Sequence, residues 1–296
     1  MAENIFIEIK GGLGNQLFQY AAAYCLSNKL NCNVKVNVQW FEQYEEREFL
    51  LDQFNIDLEY ATKEELESFV KKKNNFITRF VTGKKFNNKC KRTDAVIYNQ
   101  PGFHYDQNFL DYKAPTLLQG YFQSEKYFLP VESKIRDIFK LKASISSASQ
   151  SILKEIKSAD YSVALHVRRG DYVGSDVHCV CPPQYYSRAI EILKSSVSKD
   201  AKFFVFSDDI GFAKSILPSS KQFYYIRGTQ DNTCEDMMLM SACDNFIVAN
   251  SSFSWWGAWL SGNAEKMVIA PKNWFARESM LVYNCVDLYP DKWMLM

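Results

Sequence analysis

The stretch HVRRGDY, residues 166–172, sets two guanidinium groups and a carboxylate directly behind the apolar run YSVAL. Strand alternation puts His166 and Arg168 on one face and Val167 on the other, and Arg169 then begins the turn at Gly170. A guanidinium grips two phosphate oxygens at once, which suits a diphosphate better than the point charge of a lysine. The plain structural alternative is an ion pair of Arg168 or Arg169 with Asp171, worth little stability when exposed. One aspartate cannot neutralise two arginines, so a strong outside anion is expected here.

Three further turns carry polar groups that could serve the same ligand. GGLGNQ, 11–16, lies between a predicted strand and a predicted helix, where exposed backbone N–H groups can cradle phosphate. Gly12 and Gly14 would let a ligand approach the backbone, and the amides of Asn15 and Gln16 can donate to and accept from a sugar or phosphate. The bland reading is a tight turn with Asn15 as the helix cap. A dinucleotide fingerprint would need a third glycine and an acidic residue about 20 positions on. Leu17 and the pair Asn37–Val38 stand there instead, which weakens an NAD-dependent oxidoreductase.

FFVFSDD, 203–209, brings Ser207, Asp208 and Asp209 to a strand end. Those carboxylates could hold Mg²⁺ or Mn²⁺, face a purine, or cap the next helix. One aspartate accepts in parallel from guanine N1–H and its exocyclic amine, and the D-x-D spacing that favours metal is absent. ANSSFSWWGAWL, 249–260, clusters Asn250, Ser251, Ser252 and Ser254 at another strand-to-helix turn, a second phosphate cradle. Trp255, Trp256 and Trp259 have the spacing of a helix packed on a sheet.

These turns need a scaffold, and the chain supplies a rhythm for one. SVALHV, KFFVF, FYYI, NFIVAN and KMVIA alternate with helical PQYYSRAIEILKSSV, IGFAKSIL, TCEDMMLMSAC and SWWGAWLSG. Apolar strands joined by helices imply a parallel sheet covered on both faces, a Rossmann-like domain from about Ala159 onwards. NIFIEI, LFQYAAAYCLSNKL and NVKVNV open a smaller α/β unit, which turns irregular over 40–115. With 296 residues, two domains are expected, 1–150 and 151–296, joined by the serine-rich 141–151.

Composition narrows the partners. Lys and Arg number 35 against 34 Asp and Glu, so no global field favours nucleic acid. The run KKK at 71–73, with TGKKFNNKCKR after it, reads as solvated surface; the alternative is a peripheral contact with anionic lipid. Eight scattered cysteines favour free thiols, and HCVC (His178, Cys179, Cys181) lacks the second ligand pair of a zinc site. The opening MAENIFIEIKGG has no secretory pattern, and no stretch of about 18 apolar residues suggests a span.

Taken together, GGLGNQLFQYAAAY, GYFQSEKYF at 120–128, HVRRGDY, FSDD and NSSFSWWGAWL resemble the bacterial α1,2-fucosyltransferases of glycosyltransferase family 11. The resemblance implies a GT-B-like fold, two Rossmann-like domains facing a cleft, the N-terminal one on the acceptor side. It implies inverting, metal-independent transfer of fucose from GDP-β-L-fucose, with no cofactor, to the 2-hydroxyl of a terminal galactose. Arg168 would hold the β-phosphate, Asp171 would orient that arginine or the acceptor and is the candidate base, and Asn15 would reach the phosphate from across the cleft. Asp208 would read guanine. Donor contacts would come from Gly12, Gly14, Gln16, His166, Arg169, Ser207, Asn250, Ser251, Ser252 and Ser254, although His166 also reads as an ordinary strand-end residue. The setting implied is cytoplasmic, in surface polysaccharide or O-antigen synthesis at the inner membrane. The rival class is a sugar-nucleotide or glycan-binding protein without turnover. The stretch 40–115 carries no family signature and leaves the acceptor open.

Overall fold

The computed structural model describes residues 4–44, 46–69, 96–227, 232–276, 279 and 283–296. The basic run at 71–73, the stretch TGKKFNNKCKR and Cys90 lie outside the described residues; 63–69, just ahead of that run, are helical. Among the described residues no helix is long and apolar enough to cross a membrane.

The chain divides into two units, Met1–Ile138 and Phe139–Met296. This division falls ahead of the one expected at 150/151, and 141–151 is no linker. Ser146 donates its backbone N–H and its hydroxyl to Glu235 at 2.8 and 2.7 Å, and its hydroxyl oxygen accepts from Ser149 N to cap a helix. Phe139 packs edge-on against Trp256 at 5.3 Å. A short serine run buries little by itself, but one buried carboxylate, Glu235, is enough to fasten it.

The N-terminal unit holds β1 (Ile5–Glu8), α1 (Leu13–Leu30), β2 (Val34–Asn37), β3 (Glu59–Tyr60), β4 (Val96–Asn99) and β5 (Thr116–Gln119), closing with α2 (Glu132–Ile138). Its sheet runs β3-β2-β1-β5-β4, with every pair parallel. β1 is central, with Ile5 opposite both Val34 and Thr116. α1 has no charged residue before Lys29, which lets Leu17, Phe18 and Ala21 to Ala23 bury completely. It stops at Asn31, which takes the left-handed conformation at φ 53°.

The C-terminal unit contains α3 (Ser147–Lys157), β6 (Ser162–Val167), α4 (Pro183–Ser196), β7 (Lys202–Ser207), α5 (Ile210–Ile216) and β8 (Phe223–Arg227), then α6 (Thr233–Ser241), β9 (Asn245–Ile247), α7 (Ser252–Leu260), β10 (Val268–Ala270) and β11 (Met294–Leu295). The order β11-β10-β9-β6-β7-β8, again all parallel, is that of a Rossmann sheet. β6 is buried along its whole length between β7 and β9, with Leu165 opposite both Val205 and Ile247. Each such side chain contributes roughly 1.5–3 kcal/mol by leaving water. Tyr186, Ala189 and Leu193 of α4 cover this core, and Trp255, Trp256 and Trp259 of α7 are buried as their spacing implied. α6 and α7 approach closely at Gly257, where a Cβ would collide with Met240 Sδ.

Candidate functional site

In each unit the chain leaves the first strand to one side and later returns to the other. The C-terminal unit therefore parts at the carboxyl ends of β6 and β9, and the N-terminal unit at those of β1 and β5; such switch points are where open α/β sheets take ligands.

At the first of these, β6 stays buried through Val167. Arg168, 23% exposed, is the first side chain to emerge beyond it, and it carries a carboxylate on each terminal nitrogen. Nη2 donates to Asp171 Oδ1 at 2.5 Å, and Nη1 forms an ion pair with Asp208 Oδ2 at 2.8 Å. The guanidinium also lies over Tyr172, 5.3 Å from the ring centre. Tyr172 is fastened from behind: its hydroxyl donates to Asn250 O at 3.0 Å, and its ring stacks on His178 at 4.5 Å. Burial, ahead of the Arg168 charge, pushes the His178 pKa down.

Arg169 is engaged elsewhere. Its Nη1 donates to Asp209 Oδ2 at 2.7 Å, its guanidinium covers Phe212 at 4.3 Å, and its backbone N–H donates to Asp208 Oδ1 at 2.9 Å. Asp209 is the cap of α5, accepting from Phe212 N at 2.8 Å, and Ser207 Oγ shapes the same turn by accepting from Asp209 N. The charge argument made from the sequence is thus overturned: three carboxylates, not one, face the two arginines. Two positive groups against three negative ones leave one negative charge in excess. Both oxygens of Asp208 serve the arginine pair, Oδ1 at Arg169 N and Oδ2 at Arg168.

The turn after β9 also departs from expectation. Asn250 is fully buried. Its Nδ2 donates to Cys179 O and Trp274 O at 2.8 and 2.9 Å, and its Oδ1 accepts from the Cys181 thiol at 3.4 Å. Ser254, also fully buried, turns its hydroxyl to Ser251 O at 3.3 Å. Ser251 is buried too, which leaves Ser252, partly exposed at the head of α7, as the accessible hydroxyl of the three serines. His166 is likewise interior, beside the Phe253 ring at 5.6 Å. Burial, with a smaller contribution from Arg168, pushes its pKa down to about 3, so the ring is neutral. Asn250, Ser254 and His166 are structural because the sheet closes over them.

At the switch point of the N-terminal unit, Gly11 takes φ +78°, and a Cβ on it would lie 2.8 Å from Asn15 Nδ2. Only glycine holds this turn without strain. Gly12 and Gly14 flank the start of α1, which no side chain caps. Asn15, partly exposed, accepts through Oδ1 from Gln123 Nε2 at 2.7 Å, which turns its own N–H donors the other way. Gln16 is a correction. It is fully buried, donating to Gly11 O and Glu48 O at 2.9 and 2.7 Å and accepting from Leu50 N at 2.9 Å, so it pins the aromatic segment 39–50 to the glycine turn.

Tyr172 and Gln123 are the residues that reasoning from sequence left without a role, although both sit inside the quoted motifs HVRRGDY and GYFQSEKYF. Neither has a residue type that announces a task. Their duty is to hold Arg168 and Asn15, and only contacts reveal it.

Two Rossmann-like units, each built on a parallel sheet with a polar turn at its switch point, are the architecture of GT-B glycosyltransferases. The chain belongs to glycosyl transferase family 11, whose model matches residues 4–296. It is 35% identical over 302 residues to an alpha-1,2-colitosyltransferase of Escherichia coli, covering 98% of each chain. It is 33% identical to the O-antigen biosynthesis glycosyltransferase WbnK of Escherichia coli, covering 97% of this chain and 98% of that one. Among solved structures, the alpha-1,6-fucosyltransferase NodZ soaked with GDP-fucose superposes with a TM-score of 0.51 at 15% identity, over 87% of this chain and 92% of that chain. That likeness concerns the fold.

Within this glycosyltransferase, Gly170 is a sensitive position. A Cβ there would lie 2.7 Å from Asp208 Oδ2, so Gly170→Ala must push that carboxylate off Arg168. Turnover of Gly170→Ala is expected to fall by about 10- to 100-fold, as for catalytic groups misplaced by about an ångström. Its melting temperature should stay near that of the parent; a large joint loss of both would make the position structural.

Proposed function

We propose that this chain transfers L-fucose from GDP-β-L-fucose to the 2-hydroxyl of a terminal galactose, with inversion to an α1,2 linkage and without a metal ion. The setting we assign is O-antigen or surface polysaccharide synthesis at the cytoplasmic face of the inner membrane. The observation that carries the reading is Arg168, presented by the central strand of a Rossmann sheet at the switch point and partly exposed there.

Breaking the bond from fucose C1 to the GDP oxygen leaves the electron pair on the β-phosphate and builds positive charge on the sugar ring. The guanidinium fork of Arg168 stabilises the phosphate charge, an electrostatic effect worth several kcal/mol in a site shielded from water. The uncapped start of α7, with Ser252 at its head, adds backbone N–H groups suited to phosphate. The galactose hydroxyl attacks C1 from the opposite face and loses its proton to a base, which we assign to Asp171. The role of Asn15 on the phosphate rests on the family resemblance. Metal independence is argued from the arginine cation already in place at the switch point.

One observation favours a second donor. The colitosyltransferase relative points to GDP-colitose, whose sugar lacks one hydroxyl of fucose. A matrix of GDP-fucose, GDP-colitose and UDP-sugars against lactose and related galactosides, run with and without EDTA, tests both. Transfer from GDP-fucose that EDTA leaves unchanged is expected. Preference for GDP-colitose would change the donor, loss of activity with EDTA would overturn metal independence, and GDP binding without turnover would favour a nonenzymatic binding protein.

A further inference from the structure

We propose that the carboxyl edge of the N-terminal sheet holds the acceptor sugar, through a row formed by Asn37, Glu8, Gln119 and Asn99. The inference rests on the proposed transfer to a galactoside and gives that acceptor a site. Four neighbouring strands end on these residues: β2 on Asn37, β1 on Glu8, β5 on Gln119 and β4 on Asn99. The parallel register sets them side by side. Glu8 lies opposite Asn37 and Gln119 opposite Asn99, while the pairing of Ile7 with Leu118 brings Gln119 next to Glu8. Gln119 Nε2 donates to Glu8 Oε1 at 3.4 Å.

Two residues earlier on the same face the sheet is apolar: Phe6 and Leu117 are buried with Leu66 and Phe69, and Ile97 packs against them. The face changes character within one step. Strand pairing does not call for this, because the ladder is made by backbone groups. None of the four side chains is buried. Glu8 and Gln119 also flank the switch point of the unit, the crevice where open α/β sheets take ligands.

The ligand follows from the chemistry of the row. Glu8 Oε2 is paired with Lys10 Nζ at 3.1 Å, so its charge is balanced, and the other three members are neutral amides. A row without net charge gives no preference to a diphosphate. Amides donate and accept, a carboxylate accepts and an ammonium donates, which matches hydroxyls that do both. Asn37 spends Oδ1 on Gln39 N at 3.1 Å, which turns its N–H donors elsewhere. Lys10 also lies over the Tyr121 ring at 5.4 Å and so sets an aromatic surface beside the polar groups. Polar groups beside an aromatic ring suit a pyranose, which is polar at its rim and apolar on its C–H face. The occupant is therefore a neutral pyranoside, the galactose of the acceptor, whose hydroxyls donate to Glu8 and accept from Asn37 and Lys10.

Lactose is the probe. Its affinity by saturation-transfer NMR, GDP affinity by calorimetry and the melting temperature are compared for the parent, Glu8→Gln and Gln119→Ala. Lactose binding should weaken by about tenfold in Glu8→Gln, the loss of a hydrogen bond to a charged group, and by about fivefold in Gln119→Ala, the loss of a neutral one. GDP affinity should not change. Should Glu8→Gln melt early because Lys10 has lost its partner, Gln119→Ala decides the matter. Unchanged lactose binding in the folded variants overturns the proposal, as does an equal weakening of lactose and GDP, or a parent that binds no lactose. The reaction stands or falls separately: a parent that binds lactose through these residues yet transfers no fucose to it keeps the site and loses the proposed function.

Discussion

Replacing Arg168 with lysine lowers turnover by about 10²- to 10³-fold, the loss seen when one donor to a developing oxyanion is removed. Lysine keeps the positive charge, so attraction for GDP changes less than the rate does. What disappears is the planar fork: a single ammonium cannot present two fixed N–H groups to two phosphate oxygens. Nor can it remain bridged between Asp171 and Asp208, which now hold the guanidinium by separate nitrogens. Steady-state turnover with the preferred donor, alongside the dissociation constant for GDP, separates the two effects. A lysine variant with near-parental turnover would show that charge alone suffices and would end the argument for a bidentate clamp.

Asn250→Ala is expected to act on stability instead. The fully buried Asn250 amide ties the loop at Cys179 and Cys181 to Trp274 through three hydrogen bonds. Removing it strands two buried carbonyls and a thiol, each unmet polar group costing about 1–3 kcal/mol. A net loss of about 3 kcal/mol corresponds to a melting-temperature drop of roughly 6–12 °C for a unit of this size. Thermal unfolding of the C-terminal unit within the whole chain checks this. A variant that melts like the parent but loses GDP affinity would return Asn250 to the donor-contact role read from NSSFSWW.

Sequence reasoning reaches further for the scaffold than for the site. Strand and helix positions in the C-terminal unit were legible because parallel strands buried on both faces are continuously apolar and the helices between them are amphipathic, as in SVALHV followed by PQYYSRAIEILKSSV. The stretch 141–151 was misread because serine is as ready to cap a helix as to fill a linker; the deciding partner, Glu235, lies 89 positions from Ser146. The β11 strand also escaped notice, since two residues carry no periodicity.

By itself, then, the sequence determined the α/β class and the order of elements, and it placed polar turns behind strands at 11–16, 166–172, 203–209 and 249–260. Those properties depend on neighbours along the chain. Which members of each turn face outward was decided by tertiary structure alone. Asn250 and Gln16 have the chemistry of ligand contacts, yet the fold closes around them and fills every hydrogen bond they make. Arg168 and Asp208, 40 positions apart in the numbering, become an ion pair because β6 and β7 lie side by side and end together, Val167 opposite Ser207. Charge balance at a site is set by such long-range pairings, which local composition does not encode.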